Sequence, residues 1–182
     1  MQALNLTDVA KIVFGSPIIG ALATTNGDCD YVSLKGYDRC TIVIAVDNAT
    51  TVTGGAITLK QATAVAGTSE KALAFTKMWQ NIDTGAADTL AETAVTSNTF
   101  TTDTTDNKNL LYVIEVKAED LDVANGFDCV RVDSLLMASA VGFVQYILHG
   151  ARYASPIAVA AITDSVRIMA APFAALETAT AA

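Results

Sequence analysis

From Tyr31 onward the chain is a succession of short runs rich in Val, Ile, Thr and aromatic residues, each closed by Gly, Asn or Asp. This punctuation constrains the fold more than any other feature, because β-branched residues suit a pleated surface and the closing residues suit turns. Tyr31–Lys35 and Arg39–Val46 read as strands, the second ended by Asp47-Asn48. Gly54-Gly55 is a turn signal just before an alternating strand that puts Ile57 and Leu59 on one face. Lys71–Trp79 alternates again, with Leu73, Phe75 and Lys77 on one side and Ala72, Ala74, Thr76 and Met78 on the other. Residues 80–109 are the most polar stretch, dominated by Thr, Asp, Asn and Ala, and predict exposed strands and long loops. Leu110–Val116 reads as a central strand. A short acidic helical turn at Ala118–Leu121, a turn at Asn125-Gly126 and a strand at Phe127–Val132 follow. Val141–Gly150 then alternates with apolar residues on both of its faces. About seven or eight strands with only two brief helical candidates predict an all-β fold, an antiparallel β-sandwich with jelly-roll-like long crossings.

The two ends differ from this middle. Leu6, Val9, Ala10, Val13 and Phe14 recur at helical spacing behind Asn5 or Thr7 as a cap, which predicts a short helix. Gly15-Ser16-Pro17 and Gly20 break it, and the apolar residues around them read as an extended arm or edge strand. After Pro156 the chain becomes Ala-rich and apolar, relieved only by Thr163, Asp164, Ser165 and Arg167 as far as Phe173. The expected division is therefore an N-terminal arm over 1–22, a sandwich domain over 23–155 and a tail over 156–182. Chain ends are usually polar unless they are tied down. The arm residues Ile12, Phe14, Ile18 and Ile19, and the tail residues Ile157, Val159, Ile162 and Phe173, are accordingly the expected assembly contacts.

Composition narrows the partners. With 182 residues, 52% of them hydrophobic, and a mean hydropathy of +0.40, the chain has enough apolar surface for a core and is not of the disordered class. Eleven Lys+Arg against 19 Asp+Glu give a net charge of −8, so no basic field is expected to hold nucleic acid or an anionic membrane surface. The longest apolar stretch, Leu135–Leu148, is interrupted by Ser139 and Gln145 and is shorter than the ~20 residues of a membrane helix. The first residues carry no basic segment followed by an apolar run, so no secretory signal peptide is expected and synthesis in a cytoplasm is. Cys29, Cys40 and Cys129 have neither disulfide-framework nor zinc-ligand spacing and are expected to be packed thiols.

Motifs that carry chemistry are sparse. A Ser or Cys nucleophile needs a base, and His149 is the one histidine, in apolar surroundings at a strand end. Ser33, Ser69, Ser97 and Ser139 lie in no G-x-S-x-G elbow. Asn26-Gly27-Asp28-Cys29-Asp30 opens like a calcium loop, but Tyr31 stands where the loop needs Gly and Tyr37 where it needs Glu. Gly54-Gly55 lacks the Lys-Ser/Thr of a phosphate loop. No catalytic residue, metal site or cofactor is expected, and the chain does not read as an enzyme. Trp79, beside Gln80-Asn81, is the candidate exposed platform for a sugar ring.

The stretch from Tyr31-Val32-Ser33-Leu34-Lys35 through Arg39-Cys40-Thr41-Ile42-Val43-Ile44, the Trp79 strand, Leu111–Val116 and Gly126–Val132 together resemble small virion proteins of tailed bacteriophages and prophages. The likeness covers about residues 12–155. It implies a capsid-associated β-sandwich of the decoration or cement kind, oligomeric and bound to the major capsid protein on the particle surface. A head–tail connector, a tail component and a glycan-binding module on the virion are the alternatives it leaves open.

Overall fold

The computed structural model describes residues 6–16, 20–21, 29–133 and 138–151. The fold is all-β and its strand pairs are antiparallel. In chain order the strands are β1 (Ala10–Phe14), β2 (Gly20–Ala21), β3 (Val32–Ser33), β4 (Tyr37–Thr53), β5 (Ala56–Ala62) and β6 (Lys71–Ala72). They continue with β7 (Lys77–Asn81), β8 (Ala91–Ala94), β9 (Thr99–Thr101), β10 (Asn109–Lys117), β11 (Cys129–Asp133) and β12 (Ala138–Ala151). The larger sheet runs β1-β12-β4-β10-β7-β8, with β2 also on β12. The smaller sheet runs β3-β11-β5-β6, with β9 also on β5.

Period-two alternation explains how the two sheets meet. In β4 the even positions Cys40, Ile42, Ile44 and Val46 are buried, and they lie beside Leu110, Tyr112, Ile114 and Val116 of β10 and Val144, Tyr146 and Leu148 of β12. The smaller sheet contributes Val32, Ile57, Leu59, Val130 and Val132 to the same core. Each fully buried aliphatic side chain stabilises by about 1.5–3 kcal/mol, so this shared layer holds the sandwich together. Two tyrosines also pin it with hydrogen bonds. The Val132 N–H donates to Tyr146 Oη at 3.0 Å, tying β11 to β12 across the sheets, and the Asp103 N–H donates to Tyr112 Oη at 2.8 Å. Burial pushes the Tyr112 phenol up to about 12, and full burial pushes that of Tyr146 up as well.

Several sequence expectations change in detail. The run Arg39–Val46 lengthens to the 17 residues of β4, because β10 and β12 pair with it along both edges. Lys71–Trp79 is two strands instead of one. The chain leaves the smaller sheet after Ala72 and enters the larger at Lys77, with Leu73 and Phe75 buried between. The alternation shifts there: Met78 faces the core and Lys77 is exposed, so the expected grouping of Lys77 with Leu73 and Phe75 fails.

The helical spacing near the N-terminus sustains one turn, Leu6–Val9, and then gives way to β1. Pairing with β12 registers all five residues of Ala10–Phe14 and supplies ladder hydrogen bonds through alternate ones, which an isolated helix this short does not match. Strands β1 and β2 lie end to end along the same edge of β12. Gly15 sits at the step between them, where a Cβ would come 2.4 Å from the ring of Tyr146. Only glycine lets the backbone cross that ring, and the Gly15 N–H donates to Val144 O at 2.9 Å there.

Of the expected contact residues, Ile12 and Phe14 lie on β1, whereas Ile18, Ile19, Ile157, Val159, Ile162 and Phe173 fall outside the described residues.

Candidate functional site: the outer face of the larger sheet

The positions of β4 that alternate with the core residues are Arg39, Thr41, Val43, Ala45 and Asp47, and the strand register fixes what stands beside each. Gln145 of β12 and Val113 of β10 flank Val43, and beyond them the same row reaches Phe14 of β1 and Trp79 of β7. Phe143 and Leu111 flank Ala45. On the other side of the central row, Thr41 has Ile147 and Glu115 as neighbours, and Ile12 follows Ile147. The face is thus largely apolar across five adjacent strands, interrupted by Gln145, Thr41 and Glu115. Ile12 is 41% exposed, Phe14 45% and Val141 38%. The Phe14 and Phe143 rings meet edge-to-face with centroids 6.3 Å apart.

Charge lies at the two ends of this face. His149, Arg39 and Lys117 share a row at one end, and Val141, Asp47 and Asn109 share a row at the other. The Arg39 guanidinium is 4.0 Å from Glu115, both half exposed. Every described strand belongs to one of the two sheets, and the smaller sheet covers the opposite, core face. No described strand therefore stacks on this one.

The residues of catalytic interest do not converge. The His149 imidazole Nε2 is 3.0 Å from Thr41 Oγ1, on the outer face and half-buried. Cys29, Cys40 and Cys129 are buried free thiols, and burial pushes the Cys40 thiol well up. Among the described residues no group of three or more His, Cys, Asp or Glu is placed to hold a metal ion. A groove of about 400 Å³ runs from Leu73 past Trp79 to Glu115, Lys117 and Asp120. A wider depression of about 780 Å³ lies between Leu34, Leu121, Val123 and Phe127. Neither lining includes histidine, cysteine or serine. Trp79 is half-buried, with the Lys77 ammonium 4.8 Å from its ring centroid, so a lysine already occupies a ring face that a sugar would stack on. No described helix is long and apolar enough to cross a membrane, which leaves strands out of account.

Sequence reasoning named Ile12 and Phe14 on this face but missed Val43, Ala45, Leu111, Val113 and Phe143. Their signal was present, since Thr41-Ile42-Val43-Ile44-Ala45 and Leu110–Ile114 are apolar at both parities. That pattern means burial on two sides.

Comparison of the chain with family models, with curated proteins and with solved structures gave no match.

Proposed function

We propose that the chain is a non-enzymatic virion structural protein of a tailed bacteriophage, a decoration or cement protein. It binds and stabilises the major capsid protein lattice as a homo-oligomer on the capsid surface, with no cofactor and with neither nucleic acid nor membrane as partner. One observation carries this reading: the sandwich offers a broad, largely apolar sheet face on the side away from its own core. Faces of this kind on soluble proteins mark sites of protein association. The sequence after Pro156 is also Ala-rich and apolar. The repeated passage of the chain between sheets, at β2–β3, β3–β4, β4–β5, β6–β7, β8–β9, β9–β10, β10–β11 and β11–β12, supports a jelly-roll-like course.

The mechanism is linkage. A protein that binds the assembled lattice and not its dissociated subunits shifts assembly by mass action, and many copies multiply the effect. Quantitative mass spectrometry of virus particles purified from cells carrying this gene tests the reading. A fixed ratio to the major shell protein, with copies on the order of hundreds, supports decoration. Absence from particles, or a ring-sized copy number that places it in a neck or tail, contradicts it.

A further inference from the structure

We infer that the outer face of the larger sheet is a self-complementary interface, closed by a second copy of this chain whose β4 lies antiparallel over the first. Two observations select this occupant.

The first is the charge pattern along β4. Its outward residues run Arg39, Thr41, Val43, Ala45, Asp47, basic at one end, acidic at the other and apolar between, with Val43 at the midpoint. A two-fold axis crossing the strands at Val43 puts Arg39 of each copy opposite Asp47 of the other. It also sets Phe14 against Phe14 and brings Phe143 over Ile147 and Ile12. A two-fold axis parallel to the strands at β4 would instead set Arg39 against Arg39 and Asp47 against Asp47, like charge on like. Charge therefore chooses between the two isologous arrangements that face-to-face sheets allow.

The second is size. Strands β12, β4 and β10 run the whole span of about 27 Å from Arg39 to Asp47, while β1 and β7 have five residues each, about 17 Å. At about 4.8 Å spacing the five give roughly 550 Å², approaching the ~600 Å² per partner at the lower end of standard interfaces. Ile12, Phe14 and Val141 are the exposed apolar residues within it.

This deepens the self-association part of the proposed function and is testable without it. Purified full-length chain is examined by sedimentation velocity across a concentration series, together with Val43→Glu, Arg39→Asp, Asp47→Arg and the double variant Arg39→Asp/Asp47→Arg. All substituted positions are on the outer face, and circular dichroism checks that each variant folds. A concentration-dependent dimer is expected for the native chain. Val43→Glu should abolish it, each single charge reversal should weaken it by about tenfold or more, and the double reversal should restore it. Four results overturn the inference: a native chain that stays monomeric, a dimer indifferent to Val43→Glu, no recovery in the double variant, or a monomer that dimerises only once residues 156–182 are removed, which would show the chain's own tail on the face. Copy number in virions is read separately, so a monomer found in hundreds of copies would sink this inference and leave the decoration reading standing.

Discussion

The two outer faces of the sandwich are built to opposite rules. On the larger sheet the outward residues of β4, β10 and β12 are mostly apolar, with charges kept to the strand ends. On the smaller sheet the outward positions of β5 and β11 hold an ion-pair network. The Lys60 ammonium is 2.5 Å from Asp133 and 3.2 Å from Glu70, and the Arg131 guanidinium is 3.2 Å from each of Glu70 and Asp133. The Arg131 guanidinium also lies over the Tyr31 ring at 4.7 Å, and Thr58 bonds Thr99 across β5 and β9 at 3.1 Å. The smaller sheet's outer face satisfies itself and suits water. The larger sheet's outer face leaves apolar area that no described strand covers, and that difference makes it the candidate surface for association.

Neighbouring residues of β4 give the largest expected contrast. Ile44 is fully buried, so Ile44→Ala should cost about 2–5 kcal/mol of unfolding free energy by urea titration. Val43, one residue away and outward, should tolerate Val43→Thr within about 0.5 kcal/mol when the chain is dilute enough to be monomeric. Equal costs under dilute conditions would mean that the outer face is covered by the same chain.

Gly15→Val comes next, because the new side chain would push into the Tyr146 ring. A loss of about 1–3 kcal/mol is expected. Amide hydrogen exchange should quicken first in Ala10–Phe14, the strand that supplies Ile12 and Phe14 to the face. Uniform quickening throughout the sandwich would show that β1 is no separate unit. For the same reason, removing residues 1–22 also strips an edge strand from the sheet, and Phe14→Asp is the cleaner probe of that edge in assembly. Tyr146→Phe leaves the Val132 N–H without its acceptor and should cost about 1–2 kcal/mol, with the apolar packing kept.

The self-satisfied face should give the smallest effects. Lys60→Met should change stability by no more than about 1 kcal/mol, since the Lys60 side chain is partly exposed and Asp133 keeps Arg131 as its partner. Its pH signature has a definite sign. The hydrogen bond to Asp133 raises the Lys60 pKa, so the contribution is whole below the ordinary 10.5 and fades as the pH climbs through the raised value. Asp83 beside Lys108, Asp122 beside Lys71, and Asp106 under the backbone N–H groups of Val52 and Thr51 are held below the ordinary 3.8. Their contribution is present above that value and fades as the pH falls through the lowered ones. Thermal midpoints across pH should therefore decline in acid for the native chain and for Lys60→Met alike, with the offset between them steady below the ordinary 10.5 and closing in strong base.

The sandwich was legible because alternation and turn residues are local signals, and Ile57/Leu59 or Tyr112/Ile114 declare their face within a few residues. The crossing at Leu73–Thr76 was not, because one alternating run looks the same whether it stays in a sheet or changes sheets with a shift of one position. Strand β1 was read partly as helix for a related reason. A five-residue apolar segment takes its structure from the edge it meets, here β12, and that edge is remote in sequence. The functional face was half legible. Two of its residues stood out as exposed apolar side chains in the arm, while Val43, Val113 and Phe143 look like core until the register shows them on the far side of the sheet.

Because the native cysteines are buried, single engineered thiols report the two faces directly. The decisive comparison is the thiol-labelling rate of Ala45→Cys, central on the larger sheet's outer face, against Thr99→Cys, exposed on the smaller sheet's, over a range of protein concentrations. Labelling of Ala45→Cys should slow by about tenfold or more as the chain associates, while that of Thr99→Cys stays constant. Rates at both positions that are independent of concentration, or protection that develops at Thr99→Cys instead, would contradict the assignment of the apolar face to assembly.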